Sequence, residues 1–182
     1  MGAICHDLDH FGLGNSYFVK LGHPLAKVVN NQSVMENYHI KMALNLIEKH
    51  NLFGSLSVVQ AARAKKAIVE IIIPTDISKH FALQAQFESK QGRFDLKSEE
   101  DKNLLMAAYL HTCDLANTFL PFAHFRRWGV RVVQEMQDLY DSESALPNSA
   151  EFPALPFLKY KDQKGFCFGQ VKFAKDFVIP LL

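Results

Sequence analysis

The chain has 182 residues, 48% of them hydrophobic and 21% charged, with a formal net charge of +1. That length suffices for one substantial domain, residues 1–182, with a real core. The near-zero charge removes the electrostatic case for nucleic acid or an anionic membrane as partner. No apolar run reaches the roughly 18 residues of a transmembrane helix, and no basic start followed by an apolar block marks a secretory signal. Cys5, Cys113 and Cys167 are odd in number and lack C-x-x-C spacing, which predicts a reduced, cytoplasmic protein rather than a disulfide scaffold.

The densest polar cluster comes first: His6-Asp7-Leu8-Asp9-His10-Phe11-Gly12-Leu13-Gly14-Asn15. Read as a helix, it places His6 and His10 one turn over each other with Asp7 to the side, and Gly12 and Gly14 end it. Imidazole and carboxylate together suit zinc and harder divalent ions. The competing reading is an exposed helix cap, so a metal site needs partners elsewhere in the chain. A domain rarely opens directly on such a cluster, because termini fray, so sequence upstream of it is expected.

Ser16 to Leu25 reads as a short helix or turn, interrupted by Gly22 and Pro24. Ser33-Val34-Met35-Glu36 has the form of a capping box opening an amphipathic helix to about Lys49. Glu36 is then either the cap itself or a site residue. Asn51 to Gly54 is a break, after which Ser57 caps a helix to about Ile73 that Pro74 ends. Thr75 or Asp76 restarts a helix through Phe87, and Lys90 to Lys97 is a loop. Ser98-Glu99-Glu100-Asp101 opens a helix with Leu104, Leu105, Ala108, Leu110 and Leu115 on its core face. Asp114 falls within its apolar end, where a carboxylate is paired, bound to a metal or facing water. Pro121 fits the first turn of a helix to about Tyr140. Asp141 to Lys164 reads as one long loop of the kind that often serves as a lid, and Gly165 to Leu182 as a core-facing helix. The fold class predicted is all-α, a multi-helix bundle-like domain.

Five pieces, in order, give the chain a family resemblance. His6 to Tyr17 is similar to the signature of the class I 3′,5′-cyclic nucleotide phosphodiesterases. Ser33-Val34-Met35-Glu36-Asn37-Tyr38-His39 resembles that family's S-V-L-E-N-H-H, with Tyr38 in place of a histidine, and Phe11 replaces its usual proline. Thr75-Asp76-Ile77-Ser78-Lys79-His80 resembles T-D-M-S-K-H, and His111-Thr112-Cys113-Asp114-Leu115-Ala116-Asn117 resembles H-x-x-D-[IL]-[SA]-N. Gly169-Gln170-Val171-Lys172-Phe173 resembles S-Q-V-G-F.

The resemblance implies an HD-type catalytic domain that hydrolyses cAMP or cGMP with two divalent ions, zinc with magnesium or manganese. It implies His6, Asp7 and Asp114 as metal ligands, with Asp7 shared by both ions. His10 and Glu36 would be supporting catalytic residues. Asp7, Asn15, Ile77, Asp114, Leu115, Asn117, Val132, Gln170 and Phe173 would bind the nucleotide, with Gln170 on the purine edge and Phe173 stacked on the base. A homodimer is a further expectation. The family's upstream H-N-x-x-H-A segment carries its leaving-group histidine and another zinc histidine, and it is not among these residues. The reading is therefore an N-terminally truncated catalytic domain, with an inactive relative that binds nucleotide or a partner protein as the alternative. Cys5 and Cys113 read as small buried residues beside proposed ligands, and His23, His50 and His124 as surface or core histidines.

Overall fold

A computed structural model describes residues 1–159 and 162–181. The helices are α1 (Gly2–Cys5), α2 (Asn15–Leu21), α3 (Pro24–Val28), α4 (Val34–Lys49), α5 (Val58–Ile72), α6 (His80–Lys90), α7 (Glu99–Asp114), α8 (Phe122–Ser144) and α9 (Gln163–Phe173). Short 3-10 turns join several of them, and no strand occurs among the described residues. The all-α expectation holds. These residues form two compact units, one of Met1–His10 with Met35–Asp114, the other of Phe11–Val34 with Leu115–Leu182.

The first unit is built on isoleucine spacing. Ile40 and Ile47 on α4 are seven apart, Ile68 and Ile72 on α5 are four apart, and all four are buried in one cluster with Leu44 and Val69 packed against it. Positions four and seven apart share a helix face, so each helix presents one apolar stripe to the other. The start of α5 is set locally. Ser57 Oγ accepts from Gln60 N (3.3 Å) while Gln60 Oε1 accepts from Ser57 N (2.9 Å), a reciprocal capping box. Its end is set by Pro74, which lies in a 3-10 turn from Ile73 to Thr75. Asp76 then accepts from Ser78 N (2.9 Å) and opens a second 3-10 turn that leads into α6.

Helix α7 packs on α5 and α6. Ser98 Oγ accepts from Asp101 N (3.3 Å), so Ser98 caps the helix as its position predicts. Ala107, Ala108, Leu110 and His111 are its buried residues beyond the first turn. The N-terminal segment is held by a close approach. A Cβ added at Gly2 would lie 2.2 Å from Ile71 Cδ1, so α1 sits close against α5 and a larger residue there would require Ile71 to move.

The second unit is organised by a buried ion pair. Glu143 near the end of α8 is 2% exposed and accepts from Lys20 Nζ of α2. Lys20 also donates to Pro153 O (3.0 Å), and Asn148 Nδ2 donates to Lys20 O (2.6 Å). Gly22 ends α2 in the left-handed region at φ 64°. His23 Nδ1 accepts from Leu25 N (3.2 Å) and caps α3. Helices α8 and α9 meet at Gly129, where an added Cβ would lie 3.3 Å from both Gln170 Oε1 and Phe166 Cζ.

Four boundaries differ from the sequence reading. Helix α6 begins at His80 and not at Thr75 or Asp76, because two 3-10 turns, Ile73–Thr75 and Ile77–Lys79, come before it. Helix α8 runs to Ser144 instead of Tyr140, because Glu143 is drawn inward by Lys20. The expected loop from Asp141 to Lys164 is shorter, since a 3-10 turn covers Pro156–Leu158 and α9 already starts at Gln163, where Asp162 caps it through Gly165 N (2.7 Å); residues 160 and 161 lie outside the described residues. The expected core helix over Gly165 to Leu182 ends at Phe173 and continues as a π-helical turn and a 3-10 turn to Leu181, with Leu182 outside the described residues. No residue of α9 is buried. Its apolar side chains line an open groove of about 720 Å³ with α8 instead of filling a core.

Replacing Ile72, which has no exposed surface, by alanine is expected to cost about 2–5 kcal/mol in denaturant unfolding. Lys20→Met leaves the Glu143 carboxylate buried without its cation, and about 3–5 kcal/mol should be lost. The double variant Lys20→Met/Glu143→Leu should regain most of it, read by the same unfolding curves.

Candidate functional site

The polar cluster folds as a turn and not as a helix. Helix α1 stops at Cys5, and Leu8 N donates to Cys5 O and His10 N to Asp7 O, both at 3.2 Å. Asp9 is left-handed at φ 61°, a conformation that aspartate tolerates better than most L-residues. His6 and His10 therefore do not stack one turn apart, contrary to the helical reading. The reversal sends them to different partners.

His6 reaches the last residue of α7. His6 Nε2 lies 3.1 Å from Asp114 Oδ1 and 3.5 Å from Asp7 Oδ2. Its other nitrogen, Nδ1, donates to Ala3 O at 2.9 Å. His39, on α4 and 1% exposed, repeats the pattern: Nδ1 donates to Leu8 O (2.7 Å), and Nε2 faces Asp7 Oδ1 at 3.9 Å. A backbone carbonyl on Nδ1 fixes the tautomer and aims the Nε2 lone pair, which is how imidazoles are held for metal ligation.

Two groups of donor atoms result. Those of His6, Asp7 and Asp114 lie within 4.8 Å of one another, and so do those of Asp7, His10 and His39. Asp7 belongs to both, and its side chain is 59% exposed, open to an ion from solvent. The first group offers one imidazole and two carboxylates, the second two imidazoles and one carboxylate, and both sets suit a divalent cation in chemistry and spacing. Aspartate positions 7 and 114 meet only because α7 ends beside the turn, and the two residues of the His6–Asp114 contact are 108 positions apart in sequence.

The electrostatics separate the two imidazoles. The hydrogen bond to Asp114 is the main cause that raises His6 to about 9, against the opposing effect of burial, and the Ala3 carbonyl and Asp7 add to it. Without a cation, an imidazolium therefore supplies the positive charge between Asp7 and Asp114. Burial instead lowers the pKa of His39, although the Leu8 carbonyl and Asp7 oppose it. Deeper in the unit, His80 Nδ1 lies 2.9 Å from His111 Nε2, both rings are buried, and burial lowers both pKa values. His111 is one helical turn before Asp114, so this pair backs the end of α7.

The other expected residues are placed as follows. His10 is exposed and stacks on His39, ring centroids 5.5 Å apart. Glu36 is half-buried in the first turn of α4 and belongs to neither donor group among the described residues. Ile77 is exposed on the 3-10 turn after Asp76. Asn15, Leu115, Asn117, Val132, Gln170 and Phe173 belong to the second unit. There Asn15 opens α2, Asn117 lies in a 3-10 turn, and Val132 is half-buried on α8. Gln170 is half-buried and faces Gly129, and Phe173 stacks on Phe177 at 5.1 Å. Cys5 is buried as expected, but Cys113 is exposed, because it lies one residue from the exposed end of α7. Neither thiol joins a donor group. His50 and His124 are exposed. His39 is the functional candidate that the sequence reading passed over; its signal was a histidine one turn after Glu36 on a helix already singled out.

Comparison with known proteins places this geometry in context. The family profile described as 3′5′-cyclic nucleotide phosphodiesterase matches residues 1–182. The chain is 27% identical over 183 residues to the cGMP-specific 3′,5′-cGMP phosphodiesterase 3 of Dictyostelium discoideum, covering 99% of this chain and 38% of that protein. It is 29% identical over 148 residues to the 3′,5′-cyclic-AMP phosphodiesterase 4C of Rattus norvegicus, covering 76% of this chain and 28% of that protein. The crystal structure of the phosphodiesterase domain of Salpingoeca rosetta rhodopsin phosphodiesterase superposes with a TM-score of 0.88 at 29% identity, over 99% of this chain and 55% of that one. The chain thus spans under two fifths of these curated relatives and about half of the solved domain.

In metal-free protein, the His6 ring should titrate by NMR near pH 9, and Asp114→Asn should bring it down toward 6.5. The sign follows: a raised histidine pKa stabilises the fold fully below 6.5, and this contribution fades as pH rises through about 9.

Proposed function

The chain belongs to the 3′5′-cyclic nucleotide phosphodiesterase family, and on that premise we propose that residues 1–182 are part of a metal-dependent catalytic domain that hydrolyses cAMP or cGMP to the 5′-monophosphate in signal transduction. The observation that carries the reading is the convergence of His6, Asp7 and Asp114, with the Nδ1 atoms of both His6 and His39 tied to backbone carbonyls.

His6, Asp7 and Asp114 would hold one cation, zinc by the chemistry of the set, and Asp7 would be shared with a second, magnesium or manganese. Such a pair, when bound, neutralises the phosphodiester charge and makes water a better nucleophile near neutral pH. The chain's own groups do the rest. Ala3 and Leu8 carbonyls hold His6 and His39 in one tautomer, so that neither imidazole consumes the proton released from the attacking water through Nδ1. Exposed His10 would donate to a phosphate oxygen or to water. In the reaction a P–O bond forms to water, the P–O3′ bond breaks, and O3′ takes up a proton. In the second unit, Gln170 would pair with the purine edge, its amide able to present donor and acceptor in either order, and Phe173 would stack on the base. Asn15, Leu115, Asn117 and Val132 are the second unit's further nucleotide-binding candidates, and Ile77 is the first unit's. The protein's own partner would be the cyclic nucleotide, and its place the cytoplasm; no helix among the described residues is long and apolar enough to cross a membrane.

The test is turnover of cAMP and of cGMP by the full-length gene product, followed as 5′-nucleotide release with and without chelator. Activity should disappear on chelation and return with added divalent cation. Asp114→Ala should abolish it while the chain stays folded, read as an unchanged far-UV circular dichroism spectrum. Full activity in Asp114→Ala would sink the ligand assignment, and nucleotide binding without turnover would favour an inactive relative.

A further inference from the structure

Two residues outside both donor groups are joined across the turn. Tyr38 Oη donates to Asp9 Oδ2 at 2.6 Å. Its neighbour on α4, His39, donates from Nδ1 to Leu8 O at 2.7 Å. Consecutive residues of one helix thus grip consecutive residues of the turn. Leu8 and Asp9 are the two residues between Asp7 and His10, which both belong to the second donor group.

The turn needs such a grip. Asp9 sits at φ 61°, where L side chains are disfavoured. The turn's own two backbone hydrogen bonds are long, at 3.2 Å each. Yet the reversal at Asp9 is what brings His10 back over His39, where the rings stack at 5.5 Å with 23° between their planes. One hydrogen bond from α4 would fix a distance but leave the turn free to pivot about it. Two bonds to adjacent residues fix the orientation as well. The Leu8 bond is made by a candidate ligand itself, whereas the Tyr38 bond to Asp9 is an anchor independent of the donor atoms.

We propose that Tyr38 is a positioning residue for the Asp7, His10 and His39 donor group: its hydroxyl holds Asp9 and thereby the left-handed turn, without touching the cation. This rests on the metal-dependent reading above. Cation affinity at the site then depends on a phenolic hydroxyl that has no ligating role.

The test uses Mn²⁺ alone as probe, with binding measured by electron paramagnetic resonance on the parent chain and on Tyr38→Phe. Phenylalanine keeps the ring and its packing against His39, so the unfolding midpoint should hold. Mn²⁺ affinity should fall by about 10- to 100-fold, the range seen when partners behind a ligand are removed, with a changed Mn²⁺ spectrum. In metal-free protein, hydrogen exchange at the Leu8 and His10 amides should speed up by roughly tenfold, as expected for a turn that opens locally. Asp9→Asn, which keeps an acceptor and tolerates left-handed backbone, should retain affinity within about threefold. Equal Mn²⁺ affinity and equal exchange in the parent and Tyr38→Phe would overturn this inference alone. Absence of Mn²⁺ binding in the parent would overturn the metal reading, and this inference with it.

Discussion

The site depends on where two imidazoles place their second nitrogen. In His6 and His39 alike, Nδ1 is spent on a backbone carbonyl, Ala3 for one and Leu8 for the other. That choice leaves Nε2 as the atom that faces carboxylate, and Asp7 lies between the two rings. Were either ring turned over, its lone pair would face the Ala3 or Leu8 carbonyl and the donor groups would dissolve. The carbonyls are available because α1 and the turn after it are too short and irregular to use all of theirs internally. The irregular backbone between Cys5 and His10 is therefore a requirement of the site.

Such a site needs a rigid wall, because like charges on Asp7 and Asp114 repel when nothing positive lies between them. The wall is α7, packed on α5 and α6, with buried Ala107, Ala108 and Leu110 along its length and the His80–His111 pair behind its last turn. The turn that carries the donors follows α1, which packs on α5 with Gly2 beside Ile71. In the absence of a cation the fold offers a substitute, an imidazolium on His6 stabilised chiefly by Asp114. The same field that raises the histidine pKa would favour a divalent ion in its place, which makes proton and metal competitors for one position.

The second unit solves a different problem. Its helices expose much apolar surface, including Phe122, Trp128, Val130 and Phe168, and its buried ion pair is Lys20–Glu143. A buried pair of this kind is poor at adding stability but strict about geometry. It ties α2 to the end of α8 and thereby carries α8 past the point at which the sequence pattern weakens. Gly129 lets α9 approach α8 closely enough for Gln170 to lie beside it.

Composition and pattern alone established an all-α chain, the starts of α5 and α7, the break at Pro74 and the identity of His6, Asp7 and Asp114 as residues to watch. These are local properties: a capping serine, a proline's missing N–H and an apolar stripe act within one or two turns. Tertiary structure decided what local signals do not contain. The periodic reading of His6 to His10 as helix failed because Asp9 is left-handed, with Tyr38, 29 positions away, hydrogen-bonded to its side chain. The extent of α8 followed from a lysine 123 positions away, and the burial of His39 from contact with the turn. Chain pattern specifies which residues can ligate; only packing fixes which nitrogen, of which histidine, faces which carboxylate, because that depends on backbone carbonyls and side chains brought together from distant parts of the chain.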